Sequence, residues 1–383
     1  MDKIENLLTR GVEKIYPSKE ELEKVLRSGK KLRLYQGFDP SMPSLHLGNF
    51  VGLMKLRQFQ KLGHEIIFLI GDFTGMIGDP SGKSEVRKPL TREQVLQNSK
   101  SYKEQAGRIL DFDGENPAKI LHNSEWLSKL SFAELLKLAS LTTYAQVIER
   151  DMFQKRVKDG KDLYLSEFLY PLMQGYDSIA MDVNLEVGGS DQIFNMLTGR
   201  DLMKKITGKE KFVLATKLLV DKEGNKVGKT TGDALFLDST PEKFYGGVMS
   251  FPDEIIALGF ELLTEVPLGG IVDKINKDPM GEKKRLAQEV VKILWGEELA
   301  IPSEEAFEET FQEKKPEYKT EINPEQSLSG TIAAASGTSI TQAKRLIKQG
   351  GVDVNEVTMT NPSYHPKSGD TIKFGKKTFW KIK

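Results

Sequence analysis

Four clusters of residues in this chain have types and spacings that could do chemistry. The first is Tyr35-Gln-Gly-Phe-Asp-Pro-Ser-Met-Pro-Ser-Leu-His-Leu-Gly-Asn49, between a short apolar run, Leu32–Tyr35, and a helical pattern over Gly48–Leu62. A helix that starts there offers free N–H groups and a partial positive charge to a phosphate. Gly37 and Gly48 let backbone approach a ligand closely, and His46 stands just ahead of the helix. The second is Asn225-Lys-Val-Gly-Lys-Thr-Thr-Gly232, a loop whose two ammonium groups, Lys226 and Lys229, suit a pyrophosphate leaving group. The third is Tyr170, Gln174 and Asp177, which share one helical face. Phe168, Leu169, Leu172 and Met173 around them argue for partial burial, so the face suits a site for a polar amino acid. The fourth, Gly78-Asp-Pro-Ser-Gly-Lys-Ser84, imitates a phosphate-binding P-loop but has three residues between its glycines where that loop needs four. Asp79 would aim a carboxylate where phosphates should sit, so an ammonium group is its better partner. Taken singly, the histidine turn and the lysine loop have ordinary readings, as a strand–turn–helix and as a solvated turn.

The elements that must position these residues alternate between strand and helix. Leu32–Tyr35, Glu65–Ile70, Ile120–Leu121, Leu185–Val187 and Phe212–Leu214 read as strands, with helical stretches between them. In the helix over Gly48–Leu62, Phe50, Val51, Leu53, Met54 and Leu56 fall at helical spacing, and Gly63 stops it. Such alternation predicts an α/β fold with a doubly wound parallel sheet, whose ligands sit at the carboxyl ends of its strands. From about Pro241 the pattern becomes helical, with Leu286, Val290, Ile293 and Leu294 on one core-facing stripe. Ser303–Glu325 is acidic and contains proline, and it reads as a helix end followed by a linker. These patterns predict a catalytic domain over 1–232, a helical domain over 233–312, a linker over 313–329 and a small terminal domain over 330–383.

The 383 residues include no cysteine, which excludes a disulfide framework, a thiolate nucleophile and a Cys-ligated zinc site. Met1–Tyr16 has no apolar run of signal-peptide length, and no stretch is long and apolar enough to span a membrane, so a cytoplasmic protein is expected. The net charge of zero hides an asymmetry. From Thr331 onward there are nine basic residues and three acidic ones, so the remainder is acidic by six. Within that tail Ser339–Gly351 reads as a capped helix carrying Lys344, Arg345 and Lys348, with strand-like segments after it. A basic module on an acidic body is a footprint for nucleic acid.

HLGN and KVGKT together, flanking an alternating α/β body, resemble the paired signature of class I aminoacyl-tRNA synthetases, written His-Ile-Gly-His and Lys-Met-Ser-Lys-Ser. The chain departs from it at Asn49, Val227, Gly228 and Thr230 and keeps the first histidine and both lysines. Tyr35, the GDPSGK stretch, SEFLYPLMQGYDSIAMD and LEVGGSDQIFN narrow the resemblance to the tyrosyl branch, from about Asn6 to the C-terminus. The tail is similar to the S4-like RNA-binding fold.

That resemblance implies a Rossmann-like catalytic domain with an inserted helical dimerisation segment, then a helical domain on the anticodon side. It implies that Tyr35 and Asp177 meet the phenolic hydroxyl of tyrosine. Asp79, Tyr170 and Gln174 would hold its ammonium group with Thr74 close by, and Gln192 would lie near its carboxylate. Gly37, Asp39, Gly48, Asn49, Gly189 and Asp191 would serve ATP, the last at the ribose, and Ser41 and His46 would meet the departing phosphates. Lys83 and Arg87, with Lys226, Lys229 and Thr230, would close over pyrophosphate. Magnesium would enter with ATP and no structural metal is implied. The partners would be L-tyrosine, ATP and tRNA(Tyr), the last gripped by the tail, and the protein a homodimer with contacts near Thr142–Arg156. Three other readings are weaker. A tryptophanyl enzyme does not suit a Tyr35–Asp177 pair aimed at a phenol. A non-catalytic RNA-binding protein would have no need to keep His46, Lys226 and Lys229. A P-loop NTPase fails on glycine spacing.

Overall fold

The structure, a computed structural model, describes residues 2–81, 89–227, 235–309, 318, 320–375 and 378–383. It comprises two compact units, Met1–Ile301 and Pro302–Lys383. In the first, six strands form one sheet: β1 (Val12–Tyr16), β2 (Arg33–Phe38), β3 (Glu65–Ile70), β4 (Lys119–His122), β5 (Leu185–Gly189) and β6 (Phe212–Thr216). Their spatial order is β1-β6-β5-β2-β3-β4. Only β1 is antiparallel to its neighbour.

The five expected strands are present, and the predicted α/β sheet with them. β3 is the EIIFLI run itself, and Ile66 to Ile70 are all buried, as a parallel strand covered on both faces requires. β1 was not expected, because of VEKIY only Ile15 enters the core. From β2 the chain builds outward to β3 and β4, whereas β5 and β6 fill the other side. The adjacent strands β2 and β5 therefore mark the switch point, where a crevice opens at the carboxyl ends.

Two helices close this crevice from below, Leu165–Ala180 and Ile193–Thr207. They approach backbone to backbone: a Cβ on Gly175 would stand 3.0 Å from the Cα of Gly199. After Pro241 the first unit is helical, and its helix Pro279–Trp295 buries Leu286, Val290 and Leu294. Ala287 and Val291 complete that face, and Ile293 is only half-buried.

In the second unit, helices Leu328–Ser336 and Ile340–Lys348 pack on a five-stranded sheet: β7 (Thr320–Ile322), β8 (Val352–Val354), β9 (Val357–Thr358), β10 (Thr371–Phe374) and β11 (Thr378–Ile382). The order is β7-β11-β10-β8-β9, around a core that includes Ile332, Ile347, Ile372 and Trp380. β7 lies within the stretch expected as a linker. Ile322 packs against that core, and β7 runs parallel to β11.

One core position contradicts its residue type. Lys55, in the helix Leu47–Lys61, is 3% exposed. Its ammonium donates to the carbonyls of Leu7 at 2.8 Å and Arg10 at 2.7 Å, at the end of the helix Lys3–Thr9, and to Gln58 Oε1 at 2.7 Å. A helix C-terminus favours a cation. Even so, burial, and then the nearby Arg10 guanidinium, push Lys55 down to about 7 from 10.5. Between those values the unfolded chain binds the additional proton, so stability should rise with pH across the window, by at most about 1.4 kcal/mol per unit. Urea unfolding between pH 7 and 9.5 should show this slope in the wild type. The slope should be smaller in Lys55→Met, whatever the absolute stability of that variant.

Candidate active site

The crevice at the ends of β2 and β5 is a cavity of about 420 Å³. β2 and the turn after it contribute Tyr35, Gly37, Asp39 and Ser41, and the next helix contributes His46, Gly48 and Asn49. Thr74 and Asp79 follow β3. Tyr170, Gln174 and Asp177 project from the helix Leu165–Ala180, Gly189, Asp191 and Gln192 from the end of β5, and Lys226 from the lysine loop. Residues more than 190 positions apart thus meet in one space. Lys83, Arg87, Lys229 and Thr230 lie outside the described residues. Lys344, Arg345 and Lys348 are exposed on the helix Ile340–Lys348 of the second unit.

At the mouth, His46 and Asn49 form a reciprocal cap. Asn49 N–H donates to His46 Nδ1 at 3.3 Å, and His46 N–H donates to Asn49 Oδ1 at 2.9 Å. Asn49, one of the departures from the family signature, thus holds the start of the helix. With Nδ1 accepting, a neutral His46 carries its proton on Nε2. Lys226 pairs with Asp191 at 2.7 Å.

In the middle, carboxylates are held by Tyr170, Thr74 and Gln192 of the expected set and by Ser81 and Asn195, which were not in it. Asp39 accepts from Tyr170 Oη at 2.8 Å and Thr74 Oγ1 at 2.7 Å. Asp79 accepts from the Ser81 N–H at 2.9 Å, Gln192 Nε2 at 2.6 Å and Asn195 Nδ2 at 3.3 Å. Gly71 makes room for this packing, since a Cβ there would meet Asp39 Oδ1 at 2.1 Å.

The floor is buried and polar. Tyr35 is wholly buried, and Asp177 is 2% exposed. Asp177 accepts from Trp126 Nε1 at 2.7 Å and from Asn123 Nδ2 at 3.2 Å. Burial pushes its carboxyl well above the usual range, against the pull of those two donors. Tyr35 is pushed up as well, chiefly by burial. Behind the floor Gln174 Nε2 donates to Glu186 Oε1 at 2.9 Å, and Glu186 forms a buried ion pair with Lys211.

Sequence reasoning missed Asn123, Trp126, Glu186 and Gln36. Asn123 and Trp126 follow the carboxyl end of β4, a position that by itself marks ligand-facing residues. Glu186 is a carboxylate in an otherwise apolar strand, LEVGG, and that was its signal. Gln36 lines the cavity beside Gly52, where a Cβ would collide with its amide at 2.1 Å. Among the described residues no three histidine or acidic side chains cluster as a metal cage.

A sheet of this order, with a polar cavity at its switch point and a capped histidine and a lysine at the mouth, defines a class I tRNA synthetase. The family model "tRNA synthetases class I (W and Y)" matches residues 27–312, and an S4 domain model matches 334–372. A tyrosine–tRNA ligase of Carboxydothermus hydrogenoformans is 42% identical over 98% of this chain and 96% of its own length. The ligase of Thermotoga maritima is 39% identical over 98% and 96%. The chain therefore belongs to the tyrosine–tRNA ligase family of class I synthetases. Solved structures share the fold. A C-terminally truncated mitochondrial tyrosyl-tRNA synthetase of Aspergillus nidulans has a TM-score of 0.68 at 24% identity, over 81% of this chain and 94% of its own. The Archaeoglobus fulgidus enzyme complexed with L-tyrosine has a TM-score of 0.62 at 21% identity, over 78% and 99%.

Removing the Trp126 donor tests the electrostatics of the floor. Trp126→Phe should cost about 2 kcal/mol of stability at pH 8, the usual penalty for stripping a partner from a buried polar group. The loss should shrink at pH 4, because the folded-state value of Asp177 lies above its usual range and the neutral acid needs the donor less. Urea unfolding of both proteins at the two pH values measures it.

Proposed function

We propose that the chain activates L-tyrosine with ATP to give tyrosyl-adenylate and pyrophosphate, then transfers tyrosine to the 3′-terminal adenosine of tRNA(Tyr). The floor of the cavity carries this reading. Tyr35 and Asp177 put a buried polar pair at the closed end of the slot, complementary to the hydroxyl of a phenol. Asp79, with Tyr170 and Gln174 alongside, would take the ammonium group, and Gln192 lies beside Asp79 where the carboxylate of the amino acid would be. That carboxylate is already ionised, so its attack on the α-phosphorus needs no general base. The protein's work is then to position the reactants and to neutralise phosphate charge.

His46 and the helix it caps face the phosphates in this reading, with Ser41 next to them, and Asp39, Gly189 and Asp191 serve the nucleotide. The Lys226–Asp191 ion pair of the free protein would give way as the ribose takes Asp191, freeing Lys226 for the phosphates. Lys83, Arg87, Lys229 and Thr230 would add charge and hydrogen bonds there. Magnesium enters bound to the phosphates of ATP. Lys344, Arg345 and Lys348 would grip the phosphates of tRNA, whose contacts dominate such binding. The reaction would run in the cytoplasm, with its substrates.

The chain would act as a homodimer. Phe132, Leu136, Tyr144, Val157, Tyr164 and Leu165 are all exposed apolar side chains, with Leu165 at 82%, and they fall in the segment around the expected contact Thr142–Arg156. Exposed apolar side chains concentrated in this way mark an association surface.

ATP–pyrophosphate exchange tests the activity. Tyrosine should support it, tryptophan should not, and phenylalanine should be strongly rejected, because a missing hydroxyl leaves buried polar groups unpaired; the handling of tyrosine against phenylalanine by a tyrosyl enzyme is the standing example of that principle. Exchange driven equally by phenylalanine would refute the reading of Tyr35 and Asp177. For the assembly, Phe132→Ser combined with Leu165→Ser should shift sedimentation from dimer to monomer. A wild type that sediments as a monomer would remove the dimer.

A further inference from the structure

Beneath the floor lies an ion pair that the chemistry above does not use. Lys211, just before β6, is fully buried, and so is Glu186 on β5. The pair forms no part of the cavity mouth and meets no phosphate. A buried ion pair is weak evidence for a stabilising role, because well-packed apolar residues commonly serve the fold as well or better. What distinguishes this one is its attachments. Lys211 Nζ also donates to Ser178 Oγ at 2.8 Å, and Ser178 Oγ lies 2.9 Å from Tyr35 Oη. The fold leaves room for this reach at Gly199, where a Cβ would stand 2.7 Å from Lys211 Nζ and 3.3 Å from Ser178 Oγ.

The direction of these bonds follows from the groups themselves. An ammonium only donates, so Ser178 Oγ accepts from Lys211. The hydroxyl hydrogen of Ser178 stays available for its other partner, Tyr35 Oη, an orientation that the 2.9 Å contact allows. In that orientation Tyr35 accepts from Ser178, and its own hydrogen is shared between the Gln174 carbonyl, a long 3.4 Å away, and the Glu186 carboxylate. Lys211 and Gln174 already occupy both Glu186 oxygens, so a ligand oxygen in the cavity is an alternative acceptor for that hydrogen. Asp177, with N–H donors on both of its oxygens, is set as the complementary acceptor.

We propose that Lys211, acting through Ser178, is a positioning residue that sets Tyr35 as the hydrogen-bond donor of the floor and thereby governs discrimination between a phenol and a bare phenyl ring. This rests on the reading of the cavity as a tyrosine site. The substrate hydroxyl accepts from Tyr35 and donates to Asp177, so both of its hydrogen-bonding capacities are read. Burial pushes the Lys211 ammonium down, Glu186 opposes that push, and Glu186 holds Gln174 through its other oxygen.

Two variants test the link. Ser178→Ala cuts the relay and leaves the ion pair intact. Glu186→Gln combined with Lys211→Met removes both charges together, so that no lone ion is buried, and keeps an acceptor for Gln174. For each, kcat/KM in pyrophosphate exchange is measured with tyrosine and with phenylalanine, alongside KM for ATP. With tyrosine kcat/KM should fall about tenfold, the worth of one hydrogen bond to a buried group. With phenylalanine it should stay at its wild-type value, as should KM for ATP, so the ratio of the two substrates falls about tenfold. An equal fall for both amino acids would show a structural role and overturn the proposal, and so would a wild-type ratio in Ser178→Ala. If the double variant does not fold, Ser178→Ala decides. A wild type without tyrosine-dependent exchange would overturn the proposed function and this inference together, whereas normal wild-type exchange with unchanged ratios would overturn this inference alone.

Discussion

Two parallel strands lie side by side at the centre of this molecule, and the sheet grows away from them in opposite directions. Because β2 and β5 are neighbours while β3 and β6 lie on their outer sides, no single crossover covers both of their carboxyl ends. The gap is a consequence of topology, and the rest of the site is arranged around it. Right-handed crossovers bring a helix back over each half of the sheet, so the residues immediately after the strands are the ones free to face the gap. Asp39, Thr74, Asn123 and Asp191 all stand at such positions, after β2, β3, β4 and β5.

A cavity so deep in a sheet imposes a second condition. The carboxylates that line it must be satisfied both when the cavity is empty and when it is full. The carboxylates meet this by leaning on their neighbours: Asp39 on Tyr170 and Thr74, Asp79 on Gln192 and Asn195, Asp177 on Trp126 and Asn123. Such networks are rigid because each member fixes the orientation of the next. The lysine loop differs. The Lys226 side chain is held at its tip by Asp191, and both side chains are partly exposed, so water screens their attraction. Rigid groups therefore line the interior and an exchangeable one stands at the mouth, where a triphosphate has to enter and pyrophosphate has to leave.

How much of this was legible in the sequence depended on whether residue type and burial agreed. β3 was readable because five consecutive apolar side chains are buried on both faces of a parallel strand. The face formed by Tyr170, Gln174 and Asp177 was readable because polar residues at helical spacing were set among apolar ones. β1 was not, since an edge strand with two exposed charges in five residues carries no periodic signal. β7 was hidden by acidic neighbours that suggested a linker, although a parallel partner far along the chain makes it a strand. Lys55 and Lys211 were illegible for a deeper reason. Charged residues are surface residues unless a partner is buried with them, and those partners are set by tertiary contacts that local sequence does not encode. Asn49 was read as a departure from a nucleotide-binding signature. Its place three residues after His46 makes it half of a cap, a local rule that could have been applied to the sequence directly.

The charge asymmetry of the chain follows the same division of labour. The unit that encloses the cavity buries carboxylates within it, whereas Lys226, partly exposed, stands at its mouth. A strongly basic catalytic unit would draw polyanions to its whole surface and compete with its own mouth for them. Placing the excess of basic side chains on a separate small fold avoids that. Lys344, Arg345 and Lys348 stand exposed on a helix whose opposite face, Ala343 and Ile347, is core. The amphipathic helix therefore does two jobs with one periodicity, holding the small domain together while presenting its charges to solvent.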